Sequence, residues 1–132
     1  MFAVIIHDTV KFELPIRAIN GRVSNHGNDI PSVWVDVYDN AQLCLDRSMT
    51  PAERRKRQIK IASVKPKEHG EFSIKHLPKG FYEVEFGNHD MGGYNVLSVL
   101  VNIDPNAKPG ALCVNLSLEG ARQSNVFNCF GK

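Results

Sequence analysis

The stretch HGEFSIKHLPKGFYEVEF, residues 69–86, decides the fold class of this chain. Apolar side chains alternate with polar ones on both sides of the connection 77–80: Phe72, Ile74, Tyr82, Val84 and Phe86. This period-2 alternation indicates strands with one buried face, and a short connection containing Pro and Gly is typical of a turn. The stretch therefore predicts a β-hairpin, in which the two strands pair side by side.

Similar patterns elsewhere predict further strands. They cover residues 16–24, 32–38, 58–64, 94–103 and 111–118, and a short apolar run, Phe2–Ile6, predicts an extra strand ahead of them. Thr50-Pro51-Ala52-Glu53 has the form of a capping box with proline at the first helical position, which predicts a short helical turn near residues 51–56. About seven strands with little helix predict an all-β fold, an antiparallel β-sandwich.

Composition excludes several functional classes. The chain has 132 residues, enough for one domain, and its 16 basic and 14 acidic residues give a net charge of +2. This charge is too small to predict nucleic-acid binding. The run Phe2–Ile6 is too short for a signal peptide or a membrane span, so we expect a soluble chain without membrane insertion. No motif predicts a cofactor.

The cysteines leave two arrangements open. There are three of them, Cys44, Cys113 and Cys129, without CxxC or Cys/His ligand spacing. One disulfide with a free thiol is one arrangement, and three reduced thiols are the other. In both, the cysteines are expected to have a structural role.

Two groups of residues carry a resemblance to a known family. The first group is Gly21-Arg22-Val23, Gly27, Ile30-Pro31 and Val33–Val37, and the second is Gly70–Ile74, Leu77–Gly80 and Tyr82–Val84. Together they resemble the carboxypeptidase regulatory-like domain, which is related to the Cna-B repeats of surface adhesins. The resemblance implies a seven-stranded Greek-key sandwich of the transthyretin-like (prealbumin-like) kind over residues 16–118. Residues 1–15 then form an N-terminal strand extension, and residues 119–132 form a C-terminal tail.

The resemblance also implies a function without catalysis. Members of the family mostly serve as spacers, adhesive modules or folding partners, and an extracytoplasmic location is expected if a presequence has been removed. Cna-B domains can form a Lys–Asn isopeptide bond, and Glu83 and Glu85 lie where the assisting acid would be. The first strand, however, offers Arg17 and Arg22 but no lysine. Hydroxyisourate hydrolases resemble this fold but end in Tyr-Arg-Gly-Ser, which this chain lacks.

Three loops are expected to meet at one end of the sandwich, because the strands alternate in direction. The turns 25–29, 65–70 and 87–93 carry the residues that predict a metal site: His26, His69, His89 and Asp90, with Asp29 and Glu68 nearby. Imidazoles with carboxylates suit a transition metal, and oxygen ligands suit calcium. Solvated turns, which favour Asn, Asp and Gly, are the alternative.

A basic run is expected at the opposite end. Arg54, Arg55, Lys56 and Arg57 follow the capping box, and Arg47, Lys79 and Lys108 are expected nearby. Such a run can bind phosphate or an acidic partner surface. The alternative is a solvated helix end, where cations favour the helix dipole.

Trp34 and Tyr38 form the remaining candidate site. They lie on the face of their strand opposite Val33, Val35 and Val37, with Asp36 between them. Aromatic side chains beside a carboxylate can stack on a sugar ring or contact a protein partner. The alternative is that a chain terminus covers this face.

These observations predict a structural or interaction module rather than an enzyme. No GxSxG, HExxH or P-loop motif is present. The expected function is self-assembly through sheet edges and the terminal extensions, with a protein or a second copy as partner. Its most concrete form is the pairing of the N-terminal strand, Phe2–Ile6, with a neighbouring copy. A carbohydrate- or protein-binding accessory domain using Trp34 and Tyr38 is one alternative. A small metal-assisted hydrolase at the histidine-bearing loops is the other.

Overall fold

The computed structural model describes residues 7–88, 94–118 and 124–130. They form a mostly β structure with one short α-helix, α1 (Pro51–Arg57), and two 3₁₀ segments, Ala41–Leu45 and Glu68–Gly70. The described strands are β1 (His7–Lys11), β2 (Ile19–Ser24), β3 (Val33–Tyr38), β4 (Lys60–Val64), β5 (Glu71–Ile74), β6 (Gly80–Asn88), β7 (Val96–Ile103), β8 (Leu112–Asn115) and β9 (Asn125–Asn128).

The strands form two facing sheets, as predicted for a β-sandwich. The five-stranded sheet has the order β1-β7-β6-β3-β4, and the four-stranded sheet has the order β5-β2-β8-β9. The prediction that all pairs are antiparallel is wrong for β1–β7 and β2–β8, which are parallel. The strands of each parallel pair are far apart in the sequence, so no short turn forces them to run in opposite directions.

The hairpin predicted over residues 70–86 is also wrong. Its two strands exist, but β5 pairs with β2 while β6 pairs with β3 and β7 in the other sheet. The intervening connection therefore crosses between the sheets, and the Tyr82 hydroxyl donates a hydrogen bond to the Pro78 carbonyl at 2.6 Å across this corner. Phe72 and Phe86 meet edge to face in the core, with ring centroids 5.3 Å apart.

The core lies between the two sheets and consists of the inward side chains of both. Val33, Val35 and Val37 of β3 are buried, as the sequence alternation predicts, together with Val84 and Phe86 of β6. The four-stranded sheet contributes Ile19, Val23, Leu112 and Val114. Burying aliphatic and aromatic side chains of this size supplies most of the stability, at about 25 cal/mol per Å² of apolar surface.

Helix α1 confirms the predicted helical turn. The Thr50 side chain accepts a hydrogen bond from the Glu53 N–H at 3.2 Å, and the Glu53 carboxylate accepts one from the Thr50 N–H at 3.3 Å. This capping box satisfies backbone donors that the helix leaves free at its start. The helix belongs to the connection between β3 and β4, which returns the chain to the same sheet.

Both chain extensions contribute strands. Strand β1 lies within residues 1–15 and pairs with β7, whereas the predicted strand Phe2–Ile6 lies outside the described residues. Strand β9 lies within residues 119–132 and pairs with β8, to which a disulfide between Cys113 and Cys129 also joins it. Of the two arrangements left open for the cysteines, the structure has the one with a disulfide. Within the described residues, no helix is long and apolar enough to span a membrane.

Candidate functional site

The outward face of the five-stranded sheet carries a concentration of charged side chains. In β3, Asp36 and Tyr38 point away from the core because they alternate with the buried valines. The register of β3 with β6 places Glu85 opposite Asp36 and Glu83 opposite Tyr38. Charged groups on a central strand need partners, because an unpaired charge that is withdrawn from water is costly.

Arg55 of α1 is the partner of both glutamates. Its Nη1 and Nη2 donate to the two oxygens of Glu83 at 3.0 and 3.1 Å, and Nη2 also donates to Glu85 Oε2 at 2.5 Å. The guanidinium lies over the Tyr38 ring, with Cζ 3.7 Å from the ring centroid. Arg55 thus joins the helix to the sheet by a bidentate ion pair and a cation–π contact.

Gln58, just after the helix, completes this cluster. Its Nε2 donates to Glu83 Oε1 at 2.9 Å, and its Oε1 accepts from Arg55 Nη1 at 3.1 Å. The Glu83 side chain is only 3% exposed. We call Tyr38, Arg55, Gln58, Glu83 and Glu85 the charged cluster. A carboxylate that is buried this deeply needs such donors, because burying unpaired polar atoms is costly.

Burial and ion pairing have opposing effects on the pKa values of Glu85 and Arg55 in the charged cluster. Burial raises the pKa of Glu85 above its ordinary value, against the opposing charges of Arg55 and His7. For Arg55, burial would lower the pKa, but the hydrogen bond and charge of Glu83 outweigh it, so the pKa is raised. Arg55 is therefore held as a cation, which suits a structural contact rather than proton transfer.

A second ion pair lies beside the charged cluster. Asp36 accepts a hydrogen bond from the Ser63 hydroxyl at 2.6 Å and pairs with Lys60 Nζ at 3.3 Å. The hydrogen bond to Asp36, together with its charge, raises the pKa of Lys60. Burial raises the pKa of Tyr38, even though the nearby cations Arg55 and Lys60 oppose it. Within the described residues, the cations on this part of the face are matched by carboxylates.

His7 of β1 borders the charged cluster, but its contacts do not form a catalytic triad. Its Nε2 lies 2.9 Å from Ser98 Oγ and 3.6 Å from Glu85 Oε2. In a triad, the serine and the acid contact different ring nitrogens, whereas here both contact the same one. Ser98 is also fully buried, so a substrate cannot reach its hydroxyl.

His7, Glu83 and Glu85 are close enough together to be considered as metal ligands. Each offers one ligand atom, and these three atoms lie within 4.8 Å of one another; the described residues contain one such group. The Arg55 guanidinium, however, already bonds to both carboxylates. A fixed cation therefore occupies the position in which a metal ion would need the same oxygens.

The sequence analysis did not single out His7, Gln58 or Ser98 as site residues. For Glu83 and Glu85 a signal was available, because these two acidic residues alternate with apolar residues within one strand.

The four residues of the predicted basic site have different surroundings. Arg55 points into the charged cluster, and Arg54 Nη1 donates to the carbonyls of Asp46 and Met49 at 3.1 and 2.8 Å. Lys56 and Arg57 are exposed. The run therefore does not present four cations to one ligand.

The predicted aromatic site is partly covered. The Tyr38 ring lies beneath Arg55, so that side of the ring is occupied. Trp34 is half-buried and packs against the backbone of β6, where a Cβ atom built on Gly87 would overlap the indole ring. The structure therefore places Trp34 and Tyr38 on one face, as expected, but as packed residues rather than a free aromatic platform.

The predicted metal site is brought together only in part. His69 Nδ1 lies 3.2 Å from Asp29 Oδ2, and its Nε2 lies 3.7 Å from Glu68 Oε1. His26 follows β2 and contacts the adjacent strand β8 through its backbone N–H, which donates to Asn115 Oδ1 at 2.7 Å. His89 and Asp90 lie outside the described residues.

The free edge of the five-stranded sheet at β4 is unusually apolar. Within the described chain, β4 pairs with β3 alone. Ile59 and Ile61 at this edge are 61% and 40% exposed. Exposed edges with apolar side chains are typical sites of pairing with another chain. Besides the charged cluster, the β4 edge is thus the second candidate for a functional role.

Comparison with known proteins leaves the geometry as the main guide to function. Searches of family models, curated proteins and solved structures each found no match for this chain. The resemblance to the carboxypeptidase regulatory-like domain accordingly rests on the residues quoted for it.

Proposed function

We propose that this chain is a non-catalytic interaction module, a Greek-key sandwich of the transthyretin-like kind, which associates with a second copy through the edge strand β4. The observation that carries the proposal is the pair of exposed isoleucines, Ile59 and Ile61, at an edge that is unpaired within the described residues. Strand addition at such an edge gains main-chain hydrogen bonds and buries apolar surface together.

The surroundings of β4 support this assignment. Proteins protect sheet edges with charged side chains, especially lysine, whose charge opposes pairing. The lysine of this edge, Lys60, is held against Asp36 and the Tyr38 ring. Its charge is thus neutralised locally, so it offers little protection against an incoming strand.

A second copy is the partner that the edge suits best. Two β4 strands that pair antiparallel are related by a two-fold axis, and such an interface is self-complementary, because the same surface serves on both copies. The two five-stranded sheets would then form one continuous sheet. The isoleucines of both copies would be withdrawn from water at its centre.

The absence of catalysis in this proposal rests on the charged cluster. Its carboxylates are paired with Arg55 and Gln58, and the serine next to His7 is buried. Groups that are fixed in this way stabilise the helix on the sheet rather than act on a substrate. The disulfide between Cys113 and Cys129 supports an oxidising, extracytoplasmic compartment, where such bonds persist.

Light scattering coupled to size-exclusion chromatography tests the proposal. We expect the wild-type chain to be a dimer and the double variant Ile59→Lys/Ile61→Lys to be a monomer, because two added cations at the edge repel each other and remain hydrated. The matched control is Leu14→Lys, which replaces another exposed apolar residue (52% exposed) outside the strands and should leave the dimer intact.

Two outcomes would reject this interface. A wild-type chain that stays monomeric at millimolar concentration has no such self-association. A double variant that still dimerises uses another surface, and a chain that begins at His7 then tests whether residues 1–6 carry the association, as the sequence analysis expected. If the truncated chain is dimeric and the double variant is not, β4 is the interface.

A further inference from the structure

The outward face of the four-stranded sheet contains a groove that none of the preceding sites uses. Its volume is about 390 Å³, within the range of about 300 to 1,000 Å³ that is typical of small-molecule sites. Nine residues line it, and six of them carry the argument below: Arg22, Ser24, His26, Asn115, Asn125 and Phe127.

The strand register orders these side chains in two rows. Arg22 lies beside Cys113, which lies beside Phe127; in the next row Ser24 lies beside Asn115, which lies beside Asn125. Neighbouring strands are about 4.8 Å apart, so Arg22 and Phe127 stand roughly 10 Å apart on either side of β8. The Phe127 ring thus faces Arg22 across Cys113, and the Ser24 hydroxyl with the Asn115 and Asn125 amides forms the neighbouring row.

Several of these polar groups are held in place while others are free to bind. Arg22 Nε donates to the His69 carbonyl at 2.7 Å, and Nη2 donates to the Gly27 carbonyl at 3.3 Å. Asn115 Oδ1 accepts the His26 N–H at 2.7 Å, and Cys113, which lines the groove, is held by its disulfide with Cys129. No hydrogen bond within the described residues engages the side chains of Ser24 or Asn125.

The electrostatics of the groove disfavour a phosphate or another strongly charged ligand. Arg22 is the one Lys or Arg among the lining residues, and Asp29 lies 3.6 Å from its Nη2. Phosphate sites instead gather several cations or backbone donors. The remaining polar side chains are the His26 imidazole, two amides and a hydroxyl, all of which can form hydrogen bonds with a neutral ligand.

We propose that this groove binds a saccharide. A pyranose ring has an apolar face, which can pack on the Phe127 ring, and a rim of hydroxyl groups, which suits the Asn115 and Asn125 amides and the Ser24 hydroxyl. Phe127 is 54% exposed, although large aromatic side chains usually withdraw from water. The Asn115 amide is already held by the His26 N–H, which lowers the ordering cost of binding such a ligand.

Titration of the full, disulfide-bonded chain with named oligosaccharides tests this proposal. Chitohexaose, cellohexaose and hexagalacturonate present acetamido, neutral and acidic pyranoses, and calorimetry measures their affinity. We expect a neutral oligosaccharide, chitohexaose or cellohexaose, to bind, whereas the polyanionic hexagalacturonate should not. Phe127→Ala should weaken that binding about ten-fold, the equivalent of about 1.4 kcal/mol, and Asn125→Ala about five-fold.

Matched controls separate the groove from other surfaces. Phe130→Ala replaces an aromatic residue of similar exposure (56%) outside the groove and should leave the affinity unchanged. Trp34→Ala tests the aromatic site on the other sheet, and Ile59→Lys/Ile61→Lys tests the β4 edge; both should bind as the wild type does. The proposal is overturned if neither neutral oligosaccharide binds at millimolar concentration, if hexagalacturonate binds in their place, or if binding survives Phe127→Ala and Asn125→Ala.

Discussion

The two outward faces of the sandwich differ in how their polar groups are satisfied. On the five-stranded sheet, Arg55 of helix α1 forms ion pairs with the carboxylates of Glu83 and Glu85, so these charges are neutralised within the protein. On the four-stranded sheet, no helix of the described chain covers the face, and its side chains are mostly uncharged. One face therefore uses its polar groups for stability, and the other leaves them available to water or a ligand.

This difference shows how buried charge and binding capacity can be separated within one small fold. Titratable groups concentrated on a sheet often mark an active site. Here they are matched with one another, and the groove with free hydrogen-bonding groups lies on the face with few charges. The following substitutions test this contrast, from the largest expected effect to the smallest.

Arg55→Ala should remove the pairing that holds the helix to the five-stranded sheet. It leaves the buried Glu83 carboxylate without its main partner, which we expect to cost about 3 kcal/mol in the free energy of unfolding. Chemical denaturation measures this loss. Lys56→Ala, an exposed cation on the same helix, is the matched control and should change the stability by less than about 0.5 kcal/mol. Equal effects of the two variants would contradict a special role for Arg55.

Replacing both Cys113 and Cys129 with serine should weaken the four-stranded sheet at β9. The two cysteines are 16 residues apart, and closing a loop of this length stabilises a protein by about 3 kcal/mol. We expect a lower melting temperature and faster amide exchange in β9, with protection in β3 and β6 retained. A reducing agent should lower the melting temperature of the wild type but not of the double variant. Uniform loss of protection in both sheets would contradict this assignment.

Gly87→Ala should disturb the packing of Trp34 on the five-stranded sheet. The added methyl group would overlap the indole ring, and overpacking of this kind costs about 1 to 3 kcal/mol. We expect a shift in tryptophan fluorescence together with a lower denaturation midpoint, because Trp34 is the one tryptophan in the chain. Gly80→Ala is the matched control in the same strand, since a Cβ atom there makes only ordinary contacts, the nearest at 3.8 Å from the Tyr82 side chain, and it should leave the fluorescence unchanged. An unchanged spectrum for Gly87→Ala would show that the ring does not pack as described.

Glu85→Gln should have a small effect that depends on pH. Burial raises the pKa of Glu85 in the folded state, so its contribution to stability is present below the unfolded pKa and is lost as the pH rises through the folded value. Glutamine does not ionise, so the variant does not lose stability in this way as the pH rises, and Arg55 keeps its ion pair with Glu83. We expect the variant to gain on the wild type by up to about 1 kcal/mol between pH 4 and pH 7 in denaturation experiments. If the stability of the variant relative to the wild type instead increased as the pH fell, the predicted direction of the pH dependence would be wrong.

The sequence was sufficient to predict the elements that depend on local patterns. The buried valines of β3 and the capping box at Thr50 and Glu53 follow from alternation and from helix-end chemistry, and both are present. The partners of the strands could not be predicted in the same way. An alternating run reveals that one side is buried, but a turn with Pro and Gly serves equally in a hairpin and in a crossing between sheets.

The candidate sites show the same limit. The sequence does not distinguish the four cations of the run 54–57 from one another. Only the position of α1 on the sheet determines that Arg55 is the one that bonds to Glu83 and Glu85. The groove at Phe127 needs strands that are distant in the sequence to come side by side, as β2, β8 and β9 do. The disulfide likewise joins Cys113 of β8 to Cys129, directly after β9, with no spacing that the sequence would reveal.

The crossing between β5 and β6 has a consequence for how the chain folds. Because these consecutive strands belong to different sheets, neither can pair with the other. Strand β5 must wait for the distant β2, and β6, although it pairs with the next strand β7, also needs the distant β3. Chains dominated by such non-local contacts fold slowly. We therefore expect the β6–β7 pair to form early and the four-stranded sheet, which depends on distant pairings, to form late.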